Sequence, residues 1–260
     1  MFVTPSTPKS ELIESAHKEI HSIDISNHWT LCQKVALTCR ILYENGHDSR
    51  LAGQVSARDS FSSNFYTQQL GFGFEETCAR NLVRVDPDLQ IVEGSGMPNP
   101  ANRFHSWIYM KRPDVHCIIH THAPHTSALS MLGVPLIISH MDYCPLYENC
   151  GFLSEWPGIP IGNEEGDIIS ASLGEKSALL LSHHGCLVAA QSVEKACVLA
   201  ILFERAARIQ LLAMAAGKIQ AIHPERAREA MRWTSTPRRF ELSFAYESRR
   251  ALRKHVDCIQ

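Results

Sequence analysis

The chain has 260 residues, a formal net charge of −2 and a composition that is 45% hydrophobic and 20% charged. This length is typical of one large domain or two small ones with an ample core. The sequence has neither a basic excess nor a polybasic run, so we expect no nucleic-acid partner and no membrane partner. It contains no apolar run of membrane-spanning length and no signal-peptide core near its start.

Cysteine and histidine usage narrows the chemistry. The nine cysteines are scattered, odd in number and without a C-x-x-C pair. This pattern favours reduced thiols in a cytoplasmic protein over a disulfide framework or a zinc knuckle. The fourteen histidines are a high count, and several lie between His105 and His140 and at His183 and His184. Their distribution fits metal binding or acid–base chemistry.

The first part of the chain is predicted to be helical and then to form a meander of strands. An N-terminal arm over residues 1–25 includes an amphipathic helix over Ser10–Ile23, which Ser10 caps. A second helix is predicted over His28–Asn45, because apolar residues recur at helical spacing and Asn45-Gly46 ends the pattern. Short alternating runs predict an antiparallel sheet over residues 50–95.

The rest of the chain alternates strands with helices. Amphipathic or apolar runs of helical length predict helices over Arg103–Lys111, Pro124–Leu132, Gly166–Leu173 and Ser192–Gly217. Short apolar runs predict buried strands over Val115–Ile119, Pro135–Ser139, Ala178–Ser182 and Leu187–Ala190. Residues 235–260 are expected to be a C-terminal tail. The mixture predicts an α/β layer fold around one sheet, with residues 1–260 as a single domain.

Three histidines follow the ends of apolar strands. His120 and His122 are spaced i, i+2, so on an extended backbone they share one face. His184 ends the next apolar strand and precedes a glycine. Three imidazoles with an open fourth position are typical of a catalytic divalent-metal site. Cys186 is an alternative ligand, because on a strand it would share a face with His184.

These motifs resemble a known family. His120-Thr121-His122, the upstream Arg112-Pro113-Asp114-Val115 and the segment Leu180-Leu181-Ser182-His183-His184-Gly185 are similar to those of the class II aldolase/adducin family. The resemblance implies a three-layer α/β/α sandwich with a mostly antiparallel central sheet. It also implies a divalent cation held by His120, His122 and His184, usually Zn²⁺, with Mn²⁺, Co²⁺ or Fe²⁺ as alternatives. A homotetramer with active sites at its subunit interfaces is expected.

The sequence departs from the family's aldolases where their acid/base and phosphate groups lie. The acid/base glutamate of those enzymes corresponds to Ala101, four residues before His105. Their phosphate-binding serine pair corresponds to Asn99-Pro100, and their asparagine after the first glycine corresponds to Gln54. A tyrosine of the family corresponds to Met141. We therefore do not expect a standard aldolase that acts on a ketose 1-phosphate.

Other side chains become candidates for the missing roles. His105 is the leading candidate for proton transfer or as an additional ligand, and it shares a helix face with Tyr109 at i, i+4. Tyr143 lies two residues beyond Met141 and is a further catalytic candidate. His125 and His183 are expected to orient the metal-binding imidazoles. Residues expected to bind substrate lie in or near the glycine loops and the polar loop before the third helix: Gln54, Ser56, Gly71, Asn99 and Asn102.

Three functions compete. The first is a metal-dependent lyase of the aldolase or decarboxylase type, in which the cation stabilises the enolate of a hydroxy- or keto-carboxylate. Decarboxylation fits the loss of the glutamate, because no base has to remove a substrate hydroxyl proton. The second is a non-haem Fe(II) oxygenase acting on an aromatic hydroxy acid. The third is a non-enzymatic adducin-like module, which the presence of all three histidines argues against.

Overall fold

The computed structural model describes residues 6–25, 28–59 and 61–260. Eight strands are present among them: β1 (Gln54–Ala57), β2 (Phe65–Gln68), β3 (Leu82–Val85), β4 (Ile91–Glu93), β5 (Cys117–Thr121), β6 (Cys150–Leu153), β7 (Ala178–Leu181) and β8 (Gly185–Ala190). Eight α-helices surround them: α1 (Lys9–Ser22), α2 (Leu31–Glu44), α3 (Asn102–Lys111), α4 (Pro124–Met131), α5 (Asn163–Leu173), α6 (Val193–Ala216), α7 (Pro224–Thr234) and α8 (Pro237–Leu252). Short 3₁₀ helices lie at Ala79–Asn81, Met141–Leu146 and Val256–Ile259.

All eight strands form one sheet in the order β4-β3-β2-β1-β5-β8-β7-β6. Every neighbouring pair in that order is antiparallel except β6 and β7, which run parallel. The predicted meander over residues 50–95 is confirmed as β1 to β4. The central sheet is therefore mostly antiparallel, and β5 lies in its middle beside β1 and β8.

The sheet separates two hydrophobic cores. Along β5, Cys117 and Ile119 enter a larger core that includes residues of α2, α6 and α8. Ile118 enters a smaller core that includes residues of α3 and α5. This alternation is the period-2 pattern of a strand that is buried on both faces. Helices thus cover both faces of the sheet, and the molecule has three layers.

The helix ends follow from local sequence. Thr30 caps α2, where its hydroxyl accepts from the Gln33 amide and the Gln33 side chain accepts from the Thr30 amide. Ser192 caps α6 by accepting a hydrogen bond from the Lys195 amide at 3.2 Å.

No helix in the described part of the chain has the length and apolar character needed to cross a bilayer.

Several predicted boundaries are wrong. Pro135–Ser139 forms no strand, and β6 instead pairs with β7. Strand β6 gives a weak signal in the sequence, because it has only four residues and includes Gly151. Helix α1 begins at Lys9 with Pro8 at the N-cap position, and Ser10 makes no capping hydrogen bond. The first five residues of the predicted N-terminal arm lie outside the described residues.

Residues 235–260 are not a tail on the surface. Most of them form α8, which packs against α2 and α6 with Phe240 and Phe244 buried in the larger core. The 3₁₀ turn beyond α8 is fixed by Arg40, which is 4% exposed and pairs with Asp257 at 3.0 Å. A period of 3.6 in the apolar residues of α8 buries one face and leaves Arg249 exposed on the other.

Candidate metal centre

Strand β5 delivers the first two histidines to one edge of the sheet. His120 lies opposite Gln54 of β1 and Leu187 of β8 in the strand register. Its side chain lies on the α3 face, where the Phe104 ring packs edge-on against it with ring centroids 5.3 Å apart. His122 follows just beyond the strand end. Because His120 is only 1% exposed, its ring orientation is set by packing.

The third histidine comes from the tight connection between β7 and β8. His183 takes a φ of +55° there, a left-handed conformation that reverses the chain and precedes His184. Gly185 then begins β8 against the end of β5. A Cβ at Gly185 would lie 2.4 Å from the Thr121 carbonyl oxygen and 3.2 Å from His122 Cδ2. Only glycine lets this turn approach β5 so closely.

The three imidazoles converge. One ligand atom each of His120, His122 and His184 lies within 4.8 Å of the others. The Nε2 atoms of His120 and His122 are 3.1 Å apart. Ring centroids are separated by 4.6 to 4.9 Å, and the rings meet edge to face. This arrangement brings together nitrogen donors, a ligand type that suits zinc and other borderline divalent cations.

Burial keeps these rings neutral, and a hydrogen bond selects the tautomer of His120. His120 Nδ1 lies 3.0 Å from the Cys186 carbonyl oxygen, so that nitrogen carries the proton and donates it. Its Nε2 is then left with a lone pair, as a metal ligand requires. Burial and the neighbouring imidazoles hold the pKa of His120 well below its usual range. Burial, and then His122, lowers the pKa of His184 to about 4.

Side chains beneath the triad fix the backbone that carries it. The His122 amide donates to Ser49 Oγ at 2.8 Å. Glu204 of α6 accepts from the amides of His125 and Thr126, both at 2.8 Å, and so caps α4 directly after the β5 histidines. The sequence by itself assigns no role to Ser49 or to Glu204. No local signal links either residue to β5.

His105 belongs to a buried polar network on the α3 face. Its Nδ1 is 2.7 Å from Ser56 Oγ, and the same oxygen is 2.9 Å from the Tyr109 hydroxyl. Burial lowers the pKa of His105 to about 3 and raises that of Tyr109 well above its usual range. His105 Nε2 is buried and has no hydrogen-bond partner among the residues that the structure describes. The structure thus unites three of the predicted residues.

The predicted substrate-binding residues differ in burial. Gln54 and Asn102 are buried, and Gln54 lies beside His120 in the sheet. Asn102 donates to the Asn99 carbonyl at 3.1 Å, and Asn99 donates to the Leu51 carbonyl at 3.0 Å, so both amides stabilise the turn before α3. Gly71 lies in an exposed turn with a φ of +105°. Their role in binding substrate stays a prediction.

Tyr143 lies apart from the network of His105 and Tyr109. It is in the 3₁₀ helix Met141–Leu146, where its ring lies 5.4 Å from that of His140. Its apolar surface packs against the larger core. The structure gives it no contact with the triad among the described residues, and a catalytic role for it stays a prediction.

The structure corrects the expected roles of three neighbours. Cys186 is not on the triad's face, because its thiol lies 3.2 Å from Thr121 Oγ1 in the larger core. Only the Cys186 carbonyl contacts the triad, by accepting from His120 Nδ1. His184 precedes β8, which begins at Gly185, so the alternation of side chains along a strand does not place His184 and Cys186 on one face. His125 Nδ1 bonds Glu204 at 2.6 Å and His183 is exposed, so within the described part of the chain neither side chain hydrogen-bonds a ring of the triad.

An α/β/α sandwich with three neutral imidazoles at the ends of its middle strands is the structure of a protein suited to holding a divalent cation. A family model described as "Class II Aldolase and Adducin N-terminal domain" matches residues 33–211, which include all three histidines. The chain belongs to the class II aldolase and adducin family. The sequence-based recognition of the family is confirmed.

Three curated proteins are similar over most of the chain. The "Meiotically up-regulated gene 14 protein" of Schizosaccharomyces pombe is 31% identical, over 81% of this chain and 84% of that protein. "Decarboxylase NovR" of Streptomyces niveus is 30% identical, over 68% and 67%. The "4-hydroxy-3-prenylphenylpyruvate oxygenase/4-hydroxy-3-prenylbenzoate synthase" of Streptomyces roseochromogenus subsp. oscitans is 29% identical, over 68% and 65%.

A solved structure confirms the fold. The L-fuculose 1-phosphate aldolase from Glaciozyma antarctica PI12 superposes with a TM-score of 0.81. The match covers 91% of this chain and 97% of that chain at 24% sequence identity. At that identity the likeness establishes the class II aldolase fold and leaves the reaction to the residues of the site.

Proposed function

We propose that this protein is a metal-dependent carbon–carbon lyase, of the aldolase or decarboxylase type, that acts on a hydroxy- or keto-carboxylate. The observation that carries the proposal is the convergence of His120, His122 and His184, with His120 held in the tautomer that leaves Nε2 free. Membership of the class II aldolase family and the name of the decarboxylase relative support it.

His120, His122 and His184 would hold the cation, and we propose Zn²⁺ because a set of three imidazoles with an open position is typical of catalytic zinc. The donor set fits, since all three rings are neutral at pH 7 and His120 donates its one ring proton, on Nδ1, to a carbonyl. When bound, the cation supplies the Lewis acidity that stabilises the enolate of the substrate.

Proton transfer falls to this chain's own residues on the α3 face. Ala101 has no group that could replace a glutamate. His105 lies one turn further along α3, and Ser56 of β1 links it by hydrogen bonds to Tyr109. If Tyr109 donates to Ser56 and Ser56 to His105 Nδ1, the proton of His105 lies on Nε2. We propose that His105 donates its Nε2 proton to the carbanion after carbon–carbon cleavage, while Nδ1 takes the Ser56 proton, Ser56 takes the Tyr109 proton, and solvent restores the Tyr109 proton before the next turnover.

The test is metal content and carbon–carbon cleavage in three proteins. We expect the wild type to hold about one divalent ion per chain and to release CO₂ or an aldehyde from some 2-keto or 2-hydroxy acids under argon. His122→Ala is expected to lose both the metal and the activity. His183→Asn is the matched control, since it changes the neighbouring histidine and tolerates the left-handed φ. Equal metal content in His122→Ala and wild type would overturn the proposal.

An Fe(II) oxygenase is the second candidate, and the name of the oxygenase relative favours it. Imidazole ligands also suit iron. The two candidates separate on protein purified without oxygen. Iron in the purified protein with O₂ uptake on addition of an aromatic hydroxy acid would support the oxygenase. Zinc with product formation under argon would support the lyase.

Assembly and location are also proposals. We propose a homotetramer with active sites at its subunit interfaces, as the family implies, in the cytoplasm. Light scattering coupled to size exclusion measures the first. A monomer at micromolar concentration with full metal content would contradict it.

A further inference from the structure

Three loops lie at the same edge of the sheet as the histidines. Strand β1 begins at Gln54, directly opposite His120, so the loop 48–53 precedes it at that edge. Since β2 runs antiparallel to β1, the loop 69–76 after β2 returns to the same edge. The loop 94–100 leads from β4 to α3, and its Pro98 forms a bridge with Gln69. Chain topology therefore places all three loops beside the metal centre.

Four exposed apolar side chains occupy these loops. We call Leu51, Leu70, Phe72 and Met97 the apolar rim; they are 50%, 41%, 37% and 54% exposed. The loops are tied to one another, because the Leu70 amide donates to the Met97 carbonyl at 2.7 Å and Asn99 donates to the Leu51 carbonyl. Exposed apolar side chains on adjoining loops next to a polar site indicate a ligand or an interface.

The polar groups of these loops are already used within the chain. Gln68 accepts from the Val55 amide and donates to the Gly53 carbonyl, each at 2.9 Å. Gln54 donates to the Ala52 carbonyl at 2.6 Å. The Gly73 amide donates to the Glu76 carboxylate at 3.2 Å. These amide side chains and the Gly73 amide are thus committed to bonds within the chain.

The charges of the loops also disfavour a dianion. Segments 48–53, 69–76 and 94–100 contain one cation, Arg50, against the carboxylates of Asp48, Glu75 and Glu76. A phosphate needs several charged or amide donors, and this edge has a net negative charge instead. A substrate with an apolar side chain would bury the rim at no such electrostatic cost.

We propose that the apolar rim of Leu51, Leu70, Phe72 and Met97 selects an unphosphorylated 2-keto or 2-hydroxy acid with an apolar side chain. This inference rests on the proposed function for where the carboxylate end of the substrate binds. It assigns the specificity to four residues that take no part in the chemistry. Arg50 is the one cation of these loops.

The test compares three probes by isothermal titration, on the metal-loaded protein and on the metal-free protein. They are phenylpyruvate, pyruvate, and dihydroxyacetone phosphate. Phenylpyruvate is expected to bind at least about tenfold more tightly than pyruvate, because burying a phenyl ring on an apolar wall is favourable. It is also expected to bind more tightly than the phosphate. Leu51→Asn and Met97→Gln should abolish the preference and leave pyruvate affinity and metal content unchanged.

Met110→Gln is the matched control, since Met110 is 63% exposed in the last turn of α3 and outside the rim. A phosphate that binds as tightly as phenylpyruvate, or equal affinity for the two keto acids in both forms of the protein, would overturn the proposal. So would rim variants that dissociate an oligomer and keep the preference, because a second copy would then cover the rim. If the protein binds no metal, the proposed function fails. The relative affinity of the metal-free protein for phenylpyruvate and pyruvate still tests the proposal about the apolar rim.

Discussion

The two faces of the central sheet use their buried polar groups differently. On the α3 face, Ser56 bonds two other side chains, those of His105 and Tyr109. On the α6 face, Glu204 accepts from two backbone amides at the start of α4 and also bonds the His125 ring. Side chains bonded only to each other can rearrange, whereas a carboxylate that also holds two backbone amides keeps the chain in place. Under the proposed function, the proton transfer belongs to the α3 face and the positioning of the metal ligands to the α6 face.

The largest expected effect is at the close approach of β8 to the end of β5, within the sheet that separates the two faces. Gly185→Ala would place a Cβ 2.4 Å from the Thr121 carbonyl oxygen, and backbone on both sides would have to move. We expect a loss of about 3 kcal/mol or more in the free energy of unfolding, together with weaker metal binding. Urea unfolding and a chelator competition measure the two.

Gly162→Ala is its matched control. A Cβ there would meet only the Glu165 carboxylate, 2.4 Å away, and that flexible side chain can move. If the two variants lost equal stability, close approach of the strands would not be the reason for glycine at position 185.

One buried histidine from each face predicts a pH dependence. Burial lowers the pKa of His47, which bonds Thr121, to about 4 and that of His105 to about 3. The unfolded chain binds these protons near the ordinary pKa of about 6.5, so below that pH it holds more protons than the folded chain. The metal-free protein should lose about 1.4 kcal/mol per histidine for each pH unit below 6 until about pH 4.

Urea unfolding at pH 7, 6 and 5 measures that slope. His47→Asn is expected to lower that slope by about one proton. The remaining slope belongs to His105 and to the triad histidines, whose pKa values are also lowered by burial. A flat stability between pH 6 and 5 would contradict the burial of both rings.

Glu204→Gln tests the α6 face. The amide keeps one acceptor oxygen, so one backbone amide of α4 and the His125 ring lose a charged partner. We expect about 2 kcal/mol of lost stability and about a tenfold loss of metal affinity through the displaced His122. Glu225→Gln, on the exposed first turn of α7, is the control. Unchanged metal affinity in Glu204→Gln would show that α4 does not position the ligands.

Tyr109→Phe tests the α3 face with the smallest expected effect. Burial raises the pKa of Tyr109, so its hydroxyl is protonated and its loss removes a neutral hydrogen bond to Ser56. We expect about 1 kcal/mol of lost stability, unchanged metal content and slower turnover. The control Tyr246→Phe changes a tyrosine that is 53% exposed. A drop in metal content on loss of the Tyr109 hydroxyl would place the network in metal binding instead.

The sequence predicted the features that depend on short-range periodicity. The alternation of His120 and His122 follows from the strand period of two, and the i, i+4 pairing of His105 with Tyr109 follows from the helix period. It did not predict that both side chains would share Ser56, because β1 and α3 are about fifty residues apart in the chain. The packing of α8 was missed for the same reason, since its apolar face is recognisable only against α2 and α6.

The sequence by itself determined the family, the class of fold and the three imidazoles, since each is written in local motifs. Only the tertiary structure decided which face each neighbouring side chain takes. It turned the Cys186 thiol away from the triad, placed Glu204 under α4, and gathered the apolar rim at the histidine edge. These placements depend on strand pairing and packing between distant segments, and no local period encodes them.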